Sequence, residues 1–126
     1  MVVTLVMWVV GVFAYAVLAL AGSPWSADHI LWVLFYGSMM TLPAVLVYWV
    51  LCVPALMLVR RALGGCRPVV AFPLVSGAVQ AGFIVAVCSL LPTCSARETV
   101  LLSILHGILG VVGGVGYAWS CGYGRR

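Results

Sequence analysis

The chain has 126 residues, 66% of them hydrophobic and 6% charged, with a formal charge of +4. Soluble domains carry about 25% charged and about 45–50% apolar residues, and a chain this short leaves a large share of its surface outside any core. A water-soluble globular domain is therefore excluded. The positive charge is six arginines scattered over a loop, a turn and a tail, a distribution that membrane topology explains better than nucleic acid does.

The first apolar run, about residues 2–21, is uncharged and close to the 20 residues that cross a bilayer. Ala19-Leu20-Ala21 has the look of a signal-peptidase site, but the run lacks a preceding basic residue and exceeds a normal signal core, so an uncleaved helix is expected. Gly22-Ser23-Pro24 ends it, as glycine suits a helix C-cap and proline cannot continue the helix. Ser26 is positioned as an N-cap, with Asp28 in the following turn where the helix dipole favours an anion. Trp25 and Trp32 fit an interfacial aromatic belt.

The second run, about 27–59, is longer than a straight crossing needs and contains Pro43 and Pro54. Each proline removes a backbone bond and crowds the carbonyl four residues earlier, so a kink is expected near Gly37–Pro43, with Ser38 and Thr41 re-satisfying the freed backbone. A loop at 60–68 follows, with Arg60, Arg61 and Arg67 around a Gly64-Gly65 turn. The third run is about 69–91, stopped by Pro92. Ser95-Ala96-Arg97-Glu98 is a capping box opening the fourth, about 96–120.

These runs predict an all-α integral membrane protein: one domain of four transmembrane helices, packed as a small antiparallel bundle of two hairpins. Four crossings put the termini and the loop 60–68 on one side, with Arg60, Arg61, Arg67, Arg125 and Arg126. The opposite loops, 22–29 and 92–98, carry Arg97 beside Asp28 and Glu98. Basic residues are retained in the cytoplasm, so those five arginines are topology anchors and both termini are expected there. The Pro54-to-Arg61 segment and the glycine-rich last helix resemble the small four-span inner-membrane proteins of Gram-negative bacteria. That resemblance implies a bacterial inner-membrane location.

The fourth run carries Gly107, Gly110, Gly113, Gly114 and Gly116; Gly110 and Gly114 form a G-x-x-x-G pair, and Ser103 and Gly107 a second small pair. In lipid, helices associate by close packing, and small residues let backbones approach. The matching row expected on the third run is Ala78, Gly82 and Ala86. Ser38, Thr41, Gln80 and His106 fall at similar depths, so they are expected to meet near the midplane, as interhelical hydrogen bonds or as a polar site.

No spacing supports a metal, haem or other cofactor, a catalytic triad or a phosphate loop. The five cysteines form no C-x-x-C pair and read as small apolar residues, although a Cys88–Cys94 disulfide could clip the turn around Pro92. The expected function is non-enzymatic: helix–helix interaction in the bilayer, with a membrane-protein partner or a second copy, as an accessory subunit or an immunity-type protein. The alternative is a small oligomeric transporter or channel subunit built on the polar cluster.

Overall fold

The computed structural model describes residues 1–21, 26–63 and 70–121. They form α1 (Val2–Leu20), α2 (Ala27–Val47), a π-helical turn (Tyr48–Cys52), α3 (Val53–Ala62), α4 (Ala71–Leu90) and α5 (Ala96–Ser120). Among the described residues there is no strand. The α2, π and α3 segments form one rod, Ala27–Ala62, which with α4 and α5 makes three helices long and apolar enough to cross a membrane. The described apolar stretch of α1, Val2–Leu18, is shorter.

Local chemistry sets the helix starts. The Ser26 hydroxyl accepts from the His29 backbone N–H (3.4 Å), supplying one orphan donor of α2 with a partner. Both halves of the capping box are present at α5: the Glu98 N–H donates to Ser95 Oγ (3.2 Å) and the Ser95 N–H to Glu98 Oε2 (2.9 Å). Arg60 and Arg61 lie in the last turn of α3 and are exposed, so this helix runs past the expected boundary at residue 59. Arg67, Arg125, Arg126, the Gly64-Gly65 turn, Gly22-Ser23-Pro24 and Trp25 lie outside the described residues.

The change of helix type comes after the stretch Gly37–Pro43. α2 stays α-helical through Pro43, and the ladder changes at Tyr48–Cys52, where the Val53 N–H donates to the Tyr48 carbonyl five residues back. Pro54 follows at once. Its ring would crowd the Val50 carbonyl in a regular helix, and a widened turn removes that clash without ending the rod. The Thr41 hydroxyl donates to the carbonyls of Gly37 (3.0 Å) and Ser38 (3.1 Å), and Ser38 to Leu34 (2.6 Å). These carbonyls precede that of Met39, the one Pro43 deprives.

α1 pairs antiparallel with α2, and α4 with α5; α5 also touches α1, while the π turn and α3 lie against α4. Met7, Ala44, Tyr48, Cys52, Leu56, Phe72, Leu109 and Ala118 form the core. Leu5, Phe13, Leu31, Phe35, Leu46 and Trp119 are among many large apolar side chains left exposed, an apolar surface that lipid accommodates and water does not.

Candidate functional site

Between α4 and α5, backbone approaches backbone at glycine. A Cβ at Gly110 would lie 2.5 Å from the Ser76 carbonyl oxygen, and one at Gly114 would lie 2.6 Å from those of Phe72 and Cα of Pro73. Gly77, facing them, would place a Cβ 2.8 Å from Val111 Cγ2. At Gly107 a Cβ would meet Ala81 Cβ at 3.6 Å, an ordinary contact. α5 therefore packs on the Pro73–Gly77–Ala81 side of α4.

The row expected there, Ala78, Gly82 and Ala86, faces away. All three are exposed, and a Cβ at Gly82 would meet nothing within 4 Å. The reason is that α4 carries small residues on two sides. Only one of them also brings Ser76 and Gln80 into the bundle, where the Gln80 amide reaches a backbone carbonyl of α2.

The four expected polar residues do not form one cluster. Ser38 accepts from Trp8 Nε1 (3.1 Å) and so belongs to the α1–α2 contact. Thr41 is buried with its hydroxyl on its own helix, and its methyl fills the space at Gly11 where a Cβ would sit. Gln80 reaches across to α2, where Nε2 donates to the Ala44 carbonyl at 2.9 Å. His106 is buried on α5, one turn before Gly110.

Two residues absent from the sequence expectation join Gln80. The Cys52 thiol donates to the Ser76 carbonyl at 3.7 Å and lies within reach of the Ser76 and Gln80 side chains. Ser76 Oγ, Gln80 Oε1 and His106 Nδ1 are buried without a hydrogen-bond partner. Ser76 sits four residues before Gln80, so it shares a helix face with it, and that spacing was the signal. Tyr48 is a third residue the sequence reading missed: its hydroxyl donates to the Gly113 carbonyl at 2.9 Å, and its ring occupies the space a Gly113 side chain would need. A tyrosine within an apolar run must find such an acceptor, since lipid offers none.

Among the described residues no three of His, Cys, Asp and Glu converge on a metal position. Cys88 and Cys94 are free thiols held next to each other across the α4–α5 turn. Hydrogen bonding to Cys88 pushes the Cys94 thiol above its ordinary range. Among the described residues one surface groove lies between α1 and α5, and a shallower one runs along Ala81, Ser103, Gly107 and Val111; neither is lined by Gln80 or His106. At the end of the bundle holding the α3 and α5 C-termini, Arg60 Nη1 lies 3.6 Å from Cys121 Sγ. Arg97 is exposed at the opposite end of α5.

No protein-family model, curated protein or solved structure matches the chain.

Proposed function

We propose that this chain is a non-enzymatic, multi-pass membrane protein that acts by helix–helix association, as an accessory subunit of a larger membrane complex or as an immunity-type protein. The observation that carries this reading is the outward face of α4. Ala78, Gly82 and Ala86 form an exposed row with open space at its central glycine. In lipid, such a row lets a second helix approach to backbone contact. The location that goes with it is a bacterial inner membrane with both termini cytoplasmic. Arg60, Arg61, Arg67, Arg125 and Arg126 then lie inside and Arg97 outside.

The test substitutes Gly82 by Leu in the full chain and measures what co-purifies after mild solubilisation. Loss of the partner, or of the oligomer, with an unchanged helical signal is expected. A wild-type protein that is strictly monomeric and partner-free, or a G82L variant that keeps its partner, would sink the reading. A reporter placed after Arg126 is expected to read cytoplasmic.

The second reading, a small oligomeric transporter or channel subunit, draws on Ser76 Oγ, Gln80 Oε1 and His106 Nδ1, three buried polar atoms without a hydrogen-bond partner. It expects His106→Ala to abolish transport in a reconstituted assay.

A further inference from the structure

We propose that Cys94 and Cys88 form a thiol–disulfide exchange site for a low-molecular-weight disulfide, in which Cys94 takes up one sulfur of the incoming molecule and Cys88 displaces it; this site is separate from the α4 face and does not depend on it. The turn between α4 and α5 builds the pair. Leu91 is extended (φ −101°, ψ 112°), the conformation a following proline imposes, and its N–H donates to the carbonyls of Val87 (3.2 Å) and Cys88 (3.3 Å). Pro92 then takes the second position of a β-turn, which the Cys94 N–H closes by donating to the Leu91 carbonyl at 3.3 Å. Ser95, the next residue, caps α5. Cys94 is thereby carried back onto the end of α4, where its thiol is hydrogen-bonded to Cys88.

The two thiols differ in access. Cys88 is buried and Cys94 is partly exposed, and both are free. An incoming disulfide therefore meets Cys94 first, with Cys88 behind it. Arg97 and Glu98 are exposed beside the turn, so this end of the bundle is polar and suits a water-soluble molecule. The other described cysteines cannot take the place of Cys88. Cys52 is fully buried against the Ser76 carbonyl. Cys121 stands past the far end of α5, a helix of 25 residues or about 38 Å. The exchange balances within itself. The Cys94 thiolate attacks one sulfur of the disulfide, whose S–S bond breaks, and the leaving sulfur accepts the proton that Cys94 released. Cys88 then loses its proton and attacks Cys94 Sγ; the mixed disulfide breaks, and its departing sulfur takes that proton. Two electrons and two protons pass from the chain to the incoming disulfide, which leaves as two thiols.

The experiment treats the reduced full chain, in mild detergent at about pH 9 to populate the Cys94 thiolate, with oxidised glutathione. Mass spectrometry with fragmentation assigns each product to its cysteine. Wild type is expected to end as a Cys88–Cys94 disulfide, with the glutathione adduct on Cys94 only transient. Cys88→Ala should hold that adduct at about tenfold or more the wild-type level, because no thiol at high effective concentration displaces it. Cys94→Ala should take up glutathione on Cys88 about tenfold more slowly than Cys94 does in Cys88→Ala, since a buried thiol is the less reactive. Circular dichroism reports whether the helices persist, and Cys88→Ser gives the same readout should Cys88→Ala unfold. A wild type that keeps both thiols, an adduct on Cys94 that accumulates equally with and without Cys88, or a Cys88 that reacts as fast as Cys94 would each overturn the proposal.

Discussion

The two helical hairpins are closed by different means. Between α4 and α5, backbone meets backbone: Gly110 and Gly114 lie against the Ser76 and Phe72 carbonyls, where no side chain fits. Between α1 and the Ala27–Ala62 rod, side chains do the joining. Trp8 Nε1 donates to Ser38 Oγ (3.1 Å), Trp49 Nε1 to Thr4 Oγ1 (3.2 Å), and Gly11 faces the methyl of Thr41. A side chain can rotate away from an intruding atom, whereas a helix backbone can only retreat as a whole. The α4–α5 pair should therefore be rigid and intolerant of substitution, and the α1–α2 pair adjustable.

The sharpest way to break that contrast is to add one carbon to each. Gly110→Ala or Gly114→Ala should force α4 and α5 apart and cost about 1–3 kcal/mol, the usual range for overpacking. Gly11→Ala should cost less, because Thr41 can turn. Unfolding by SDS titration followed by circular dichroism reads both, and equal losses would erase the distinction between the hairpins. Tyr48→Phe comes next. It removes the hydroxyl that donates from the rod to the Gly113 carbonyl of α5 and should cost about 1 kcal/mol in the same titration. Trp8→Phe and Trp49→Phe each delete a hydrogen bond at a half-exposed position and should cost about 0.6 kcal/mol, the mean for polar contacts in membrane bundles.

The smallest effect is chemical and reports how closely the α4–α5 turn holds its two thiols. The Cys94 thiol is raised above its ordinary value of 9.0, first by hydrogen bonding to Cys88. A raised value means less thiolate at neutral pH, and thiolate is the reactive form. Alkylation of Cys94 should thus be slow at neutral pH and still accelerating at pH 9. Cys88→Ala should shift the whole profile to lower pH. Superimposable profiles for the two proteins would mean that the turn is more open than described.

Much of the candidate site was legible only in part. Gly110 and Gly114 stand out in the sequence by spacing, and the structure places them where no Cβ fits. Their partner row did not stand out, because Pro73-Gly77-Ala81 and Ala78-Gly82-Ala86 are both small-residue rows at helical spacing. Gln80 and His106 were conspicuous as polar residues in apolar runs. What they would bond was not, since the acceptor for Gln80 is the Ala44 carbonyl, and every residue has a carbonyl. Ser38 and Thr41 share a depth with Gln80, but each can satisfy its hydroxyl on its own helix, which removes any need to face the bundle centre.

By itself the sequence determined what is local. Composition marks the runs as strongly apolar, run length makes them helical, and Ser26 and the Ser95–Glu98 box set where α2 and α5 begin, because a cap is completed within three residues. Tertiary structure alone decided which face of α4 meets α5 and where the hydrogen-bond ladder of the rod widens. It placed a π-helical turn just before Pro54, and it sent Tyr48 and Gln80 to backbone carbonyls on other helices. The reason is the lack of an amphipathic pattern, which would mark the buried side of a helix. In these apolar helices the exposed and the buried residues are alike apolar, so the choice of face falls to steric fit between backbones and to the few polar atoms that must find partners.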